Sequence, residues 1–122
     1  MYKDIQAMHA KFGISGPTVP TLLNGQERQF RIIALTEELN ELIDATTIED
    51  QIDALVDIVV FALGAAEKMG VNWDAHWHEV LRANMSKELA NSATASKRGY
   101  KLDLIKPEGW KGPDHSYILK GN

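Results

Sequence analysis

The chain has 122 residues, of which 44% are hydrophobic and 25% charged, and its formal net charge is −4. These values are typical of one soluble globular domain, and the acidic balance argues against a nucleic-acid partner, which normally requires a basic face. The absence of cysteine excludes disulfides, thiolate zinc sites and cysteine nucleophiles, and no apolar run is long enough for a signal peptide or a membrane span, so the sequence predicts a cytoplasmic protein without membrane contact.

Helical periodicity dominates the chain to about residue 90. Thr46 or Thr47 is suited to capping the third helix, and Gly70 is suited to ending it. The periodicity predicts helices over residues 2–12, 27–45, 49–69 and from 72 or 74 to 89, with a glycine- and proline-rich loop over 13–26.

The last third of the chain differs from the rest in composition and charge. Residues 90–122 hold six Lys or Arg and three acids, so this segment carries +3 and residues 1–89 carry −7. The segment 91–122 is rich in Ser, Lys, Gly and Pro and is predicted to be an extended tail. The imbalance suggests carboxylates collected in the body and cations available for an anionic ligand, although ordinary solvated surface charge explains it as well.

Helices of this length joined by short connections predict an all-α fold, an antiparallel four-helix-type bundle in a single domain of residues 1–122. The third helix is apolar nearly all round between Ala54 and Ala66. Such a helix is expected at the centre of the bundle or at a contact between subunits.

Three acids follow one another on the second helix. Glu37, Glu38 and Glu41 fall within about a 100° arc at 100° per residue, on a stripe that is apolar one turn earlier at Phe30 and Ala34. Like charges on one face repel each other, which costs stability unless a cation compensates.

Asp57 is the one acid in the apolar run of the third helix, and Asp53 shares its face at i−4. An ionised carboxylate moved out of water costs several kcal/mol without a cation or donors. If the second and third helices are antiparallel, the two sets of carboxylates can face each other around a divalent cation. The alternative is that a Lys, an Arg or a backbone group donates to Asp57. Gly64 on the same face indicates close approach of another helix or a ligand.

Oxygen-only ligands favour Mg²⁺ or Mn²⁺ over zinc, and Mg²⁺ held by carboxylates is commonly shared with substrate phosphates. No histidine is expected to be a ligand. His76 and His78 lie about 200° apart around a helix, and His9 and His115 are isolated in the sequence.

On the predicted fourth helix, Asn84 and Lys87 continue the apolar stripe of Trp73 and Trp77. An amide and an ammonium there could reach phosphate oxygens. The alternative is that the helix frays and both groups extend into water.

Four segments, taken in this order, carry a resemblance to a known family: TEELNEL, DALVDIVVFALGAAEKMG, VLRANMSK and KPEGWKGPD. They resemble the MazG-like all-α nucleoside triphosphate pyrophosphohydrolases, and most closely the small phosphoribosyl-ATP pyrophosphohydrolase-like and dUTPase-like members. The resemblance implies Mg²⁺-dependent hydrolysis of a (deoxy)nucleoside triphosphate to a monophosphate and pyrophosphate, on a bundle that forms a homodimer or homotetramer.

The resemblance also implies roles for particular residues. Glu38 and Glu41 match the metal ligands of the ExxE motif, Asp57 matches the aspartate of ExxD, and Glu37 or Glu38 would orient the attacking water. Phosphate binding is implied for Asn84 and Lys87 and for the closing tail with Lys97, Arg98 and Tyr100. The nucleobase could stack on His9, Phe12 or Trp77.

The chain departs from the family at one metal position. The residue three before Asp57 is Ala54 rather than glutamate, and Asp53 is the candidate substitute. Two other readings therefore stay open: a homologue that binds nucleotide without turnover, and a helical interaction module whose acids are surface residues.

Overall fold

Most of the chain is helical, which confirms the predicted all-α fold class. The computed structural model describes residues 1–121. Its elements are, in chain order, α1 (Tyr2–Lys11), α2 (Gly25–Asp44), α3 (Ile48–Met69), α4 (Trp73–Met85), β1 (Glu88–Leu89), β2 (Leu104–Ile105) and α5 (His115–Lys120). Two compact units divide the chain, one of Met1–Trp73 and one from Asp74 onward. Within residues 1–121, every helix is too short or too polar to cross a membrane.

The first unit is built on an antiparallel pair of helices, α2 and α3, with α1 packed on α3. A connection of three residues, 45–47, joins the pair. Arg31, early in α2, contacts the carbonyl of Phe61, late in α3. Glu38, later in α2, lies near Asp57, earlier in α3. The order of these contacts fixes the antiparallel direction.

Both ends of α3 have the expected caps. The Thr47 hydroxyl accepts a hydrogen bond from the Asp50 amide at 3.1 Å, and Glu49 and Asp50 lie in the first turn, where the helix dipole favours acids. Gly70 ends the helix in the left-handed region at φ 66°, where a Cβ is costly.

Helix α1 and the loop that follows it are both attached to the last turns of α3. His9 Nδ1 donates to Glu67 Oε2 at 2.7 Å, Lys68 Nζ donates to the Ser15 carbonyl at 2.8 Å, and the Thr21 amide donates to the Met69 carbonyl at 2.8 Å. A Cβ on Gly16 would collide with the backbone of Glu67. A long glycine- and proline-rich loop is thereby held in one place.

The interior of the first unit consists mainly of small residues, such as Ala34, Ala54 and Ala66. Large apolar side chains on α2 and α3 are instead more than half exposed in the single chain. They include Phe30, Ile32, Ile33, Ile43, Ile48, Ile52, Leu55 and Val56.

Helix α4 ends at Met85, four residues before the predicted end at residue 89. The Ala83 carbonyl explains this early end, because it accepts from the Ser86 amide and hydroxyl and from Trp110 Nε1. In a continued α-helix this carbonyl would take the Lys87 amide, which bonds to Asn84 instead. The helix therefore closes in a tighter turn.

The segment after α4 is more ordered than the extended tail that the sequence predicts. Strands β1 and β2 pair antiparallel, with Glu88 opposite Ile105 and Leu89 opposite Leu104. The tail also contains the short helix α5, capped by the Asp114 carboxylate on the Tyr117 amide. The hydrogen bonds around β1 and β2 join residues distant in sequence, such as Ala90 to Asp103, so local periodicity does not reveal the strands. Helix α5 has only six residues, too few for a helical period to show.

Candidate active site

Three carboxylates from α2 and α3 come together in the first unit. Glu38, Glu41 and Asp57 each present one oxygen, and these oxygens all lie within 4.8 Å of one another. Glu38 and Asp57 are half-buried, and Glu41 is exposed. Glu38 and Glu41 are three residues apart and therefore lie on the same face of α2. The antiparallel helix α3 brings Asp57 to that face. We refer to these three residues as the carboxylate cluster.

Among the residues that the structure describes, no basic side chain pairs with the negative charge of the cluster. Within residues 1–121, none of its three members forms an ion pair. Glu38 Oε2 is buried and has no hydrogen-bond partner among the described atoms. Desolvation raises the pKa of Glu38 to about 7, with further contributions from the Glu41 side chain and from the charges of Asp57 and Asp53.

An unpartnered carboxylate oxygen next to two further carboxylates fits a hard divalent cation. Magnesium prefers such oxygen ligands and retains several water molecules. The alternative expectation was that a lysine, an arginine or a backbone group donates to Asp57. Within residues 1–121, Asp57 forms no ion pair with a basic side chain. The buried Arg31 donates to Glu27 at 2.9 Å and to the Phe61 carbonyl at 3.4 Å instead.

The remaining predicted acids lie outside the cluster. Glu37 is exposed on α2, although it is adjacent to Glu38. Asp53 is exposed on α3, but its charge still contributes to the raised pKa of Glu38. Ala54, the position where the family pattern has glutamate, is only 1% exposed and belongs to the core.

Arg31 is a buried cation that the sequence reasoning did not single out. Its side chain lies against Gly64, and a Cβ on that glycine would come within 2.5 Å of Nη1. Gly64 therefore admits a side chain from the neighbouring helix, in agreement with the predicted close approach. The available signal was the position of Arg31 seven residues before Glu38, on the same stripe of α2.

Several predicted phosphate-binding residues meet in the second unit. A cavity of about 610 Å³ is lined by the cationic side chains of Lys87, Lys97, Arg98 and Lys106 together with Asp103. We call it the cationic cavity. The sequence predicted the first three of these lysine and arginine residues for the substrate, and the fold of the second unit brings them to one place.

Arg98 also has a structural partner in that cavity. Its Nη2 donates to Asp103 Oδ1 at 2.6 Å and its Nε donates to Oδ2 at 3.0 Å. Arg98, followed by the Ser96 hydroxyl, lowers the pKa of Asp103 to about 2. The ammonium groups of Lys87 and Lys106 lie over the ring of Trp110, 5.3 and 5.2 Å from its centroid, so Trp110 gathers these two positive charges beside the cavity.

The other predicted substrate residues are dispersed. Asn84 is exposed in the last turn of α4, and Tyr100 is exposed in the loop before β2. Phe12 is 68% exposed, as a stacking residue would be. His9 is 4% exposed and is bound to Glu67, so its ring faces have no room for a nucleobase. We correct its role to holding α1 on α3.

The comparison with protein families finds a family whose model matches the part of the chain that contains the carboxylate cluster. No curated protein matches the chain. The family model of phosphoribosyl-ATP pyrophosphohydrolase matches residues 7–84, nearly two thirds of the 122 residues. The match includes Glu38, Glu41 and Asp57 and ends before Lys87. The chain belongs to the phosphoribosyl-ATP pyrophosphohydrolase family, within the MazG-like superfamily, and this family implies a nucleotide pyrophosphohydrolase activity.

Proposed function

We propose that the protein is a Mg²⁺-dependent hydrolase that converts a (deoxy)nucleoside triphosphate to the monophosphate and pyrophosphate. The convergence of Glu38, Glu41 and Asp57 within 4.8 Å carries this proposal. The family match supports the reaction class, and the cationic cavity supports an anionic substrate.

Glu38, Glu41 and Asp57 would hold the magnesium ion, and Mn²⁺ could replace it. Asp53 would act through its charge rather than as a ligand, since it lies outside the cluster. The chemistry that the ion supplies when bound is a lower pKa for water and compensation of charge on phosphate oxygens.

A second task falls to Glu38. Its buried Oε2 has no partner among the described atoms, so it is placed to accept a proton from a water molecule held in the cluster. Glu38 is therefore our choice for the residue that orients and deprotonates the attacking water at the α-phosphorus. Glu37 is the weaker candidate because it is exposed and lies outside the cluster.

In the second unit, Lys87, Lys97 and Lys106 would bind phosphate oxygens as point charges. Arg98 contributes less directly, because Asp103 already takes two of its donors. Stacking of the base is assigned to Phe12 or Trp77. We further propose a homodimer or homotetramer in the cytoplasm, with the exposed apolar residues of α2 and α3 as its contact surface.

The proposal is tested by pyrophosphate release from a panel that contains phosphoribosyl-ATP, dUTP, dCTP and the common ribonucleoside triphosphates. With Mg²⁺, at least one of them should be turned over. Glu41→Gln and Asp57→Asn should each lower the rate at least about 100-fold. Helix content by circular dichroism should stay unchanged.

Matched controls are Glu49→Gln and Asp44→Asn, which remove exposed acids of α3 and α2 outside the cluster. Both should keep the wild-type rate. Full turnover in Glu41→Gln and in Asp57→Asn would contradict the proposed site.

Two rivals give other results in related measurements. A binding homologue without turnover would be stabilised against heat by Mg²⁺ together with a nonhydrolysable nucleotide, but would release no pyrophosphate. A helical interaction module would show neither effect.

A further inference from the structure

A pair of histidines in the second unit lies outside everything assigned above. His76 on α4 and His115 at the start of α5 are joined by a hydrogen bond between their Nδ1 atoms, which are 2.9 Å apart and which a bound ion would bridge in its place. Their ring centroids are 5.1 Å apart. The sequence separates them by 39 residues, so neither was expected to have a ligating partner.

The backbone around this pair is held by neighbouring contacts. His76, Glu79 and Arg82 follow one another at intervals of three residues on one face of α4. Glu79 accepts from the Asp114 amide at 2.9 Å, and Arg82 donates to the Gly112 carbonyl at 3.2 Å. The chain from Gly112 to His115 therefore runs along this face, and His115 is brought to His76 by contacts other than their own.

The separation of the nitrogens has a chemical meaning. Two imidazole nitrogens 2.9 Å apart that bind one ion at about 2.0–2.1 Å subtend an angle of about 90° at that ion. This angle belongs to neighbouring positions of a square-planar or octahedral centre, which Cu²⁺ and Ni²⁺ prefer, rather than to a tetrahedron.

The protonation state is also suitable. Burial, followed by the charge of His115, lowers the pKa of His76. The neutral form that a metal ligand requires is therefore favoured at neutral pH. The charged side chains of the adjoining residues, Glu79, Arg82 and Asp114, bind one another or the backbone.

We propose that Nδ1 of His76 and Nδ1 of His115 form a chelate for one late first-row transition ion, Ni²⁺ or Cu²⁺, with water at the other positions. The ion would fasten α5 to α4. This site is separate from the carboxylate cluster in residues and in metal preference, and it does not depend on the proposed hydrolysis.

The test is calorimetric titration of the full chain with NiCl₂ at pH 7.5, in excess MgCl₂ to occupy the carboxylates. We expect one equivalent of Ni²⁺ to bind. The affinity should fall at least tenfold in His115→Ala and in His76→Ala. His115→Ala is the safer variant for folding, because His115 is exposed.

His78→Ala is the matched control, since His78 is an exposed histidine on the same helix, and Glu38→Gln tests independence from the cluster. Both should bind Ni²⁺ like the wild type. With Cu²⁺, electron paramagnetic resonance should show nitrogen ligation that is lost in His115→Ala. Absence of Ni²⁺ binding, unchanged binding in His115→Ala, or an equal loss in His78→Ala would overturn the proposal.

Discussion

Glu38 combines two properties that are rare in one side chain. It is half-buried among other acids, and one of its oxygens has no partner among the described atoms. Groups in such positions commonly perform chemistry, because an arrangement that serves stability alone would neutralise them.

The raised pKa of Glu38 predicts how stability depends on pH without metal. The pKa of Glu38 is about 7 in the folded state and 4.5 ordinarily. Between these two pH values the folded state therefore keeps a proton that the unfolded state has released. This contribution to stability is complete below about pH 4.5 and disappears as pH rises through 7. In urea denaturation of chelator-treated protein, Glu38→Gln should therefore gain stability relative to wild type between pH 5.5 and 8.

In the wild type, stability without metal falls as the pH rises. Addition of Mg²⁺ should make it rise with pH instead, since the ion binds the ionised carboxylates. Glu49→Gln is the control, because its carboxylate lies outside the cluster. An identical pH dependence in wild type and Glu38→Gln would show that the carboxyl is not perturbed.

At this scale, periodicity predicted acids on facing sides of α2 and α3, and the family resemblance selected three of them as metal ligands. Glu38, Glu41 and Asp57 occupy facing stripes of two helices, and helical spacing is a local property. The Phe61 carbonyl that accepts from Arg31, and the partners of His9 and His76, could not be predicted in the same way, because each is 30 or more residues away and is selected by packing.

At the scale of the elements, Gly64 on α3 leaves the space in which the Arg31 side chain of α2 lies. Glycine costs about 1 kcal/mol in a helix relative to alanine, yet a Cβ here would meet the buried guanidinium of Arg31. Gly64 therefore lowers the helix propensity of α3, but it allows the Arg31 guanidinium to be placed between the two helices.

Gly64→Ala should destabilise the protein by about 1–3 kcal/mol, because Arg31 would lose buried hydrogen-bond partners. The matched experiment repeats the change in an Arg31→Ala background. There it should stabilise by about 1 kcal/mol, since only helix propensity is left. The free energy of unfolding is measured for the wild type, the two single variants and the double variant. If Gly64→Ala changes this free energy with the same sign in both backgrounds, the steric role of Gly64 is refuted.

The sequence located α1, α2 and α3 to within two residues at each end, since caps and breakers mark those ends. It placed the end of α4 too late and left β1, β2 and α5 out. The end of α4 and the pairing of the strands depend on tertiary hydrogen bonds, from Trp110 to the Ala83 carbonyl and from Ala90 to Asp103, which local propensity does not contain. Helix α5 was missed because six residues are too few for a helical period to show.

At the scale of the whole molecule, the main feature is the set of large apolar side chains that α2 and α3 expose in the single chain. A water-exposed surface of this kind usually marks an interface. Ile52 and Val56 lie one turn apart on α3, and each is 54% exposed in the single chain.

We expect the protein to be a dimer or tetramer by light scattering, with a melting temperature that rises with concentration. Ile52→Lys combined with Val56→Lys should shift the mass towards the monomer. Leu102→Lys is the control, because Leu102 is equally exposed, at 54%, but lies in the tail. A monomeric wild type, or an equal effect of Leu102→Lys, would rule out this surface.

The attachment of α1 and the following loop to α3 has a consequence for the order in which the chain folds. Its three anchors join residues 48 to 58 positions apart, from Thr21 and Met69 to His9 and Glu67. Closing so large a ring costs more chain entropy than forming a helical hairpin. The hairpin of α2 and α3 is thus expected to assemble early, and the leading segment to settle onto its finished end afterwards.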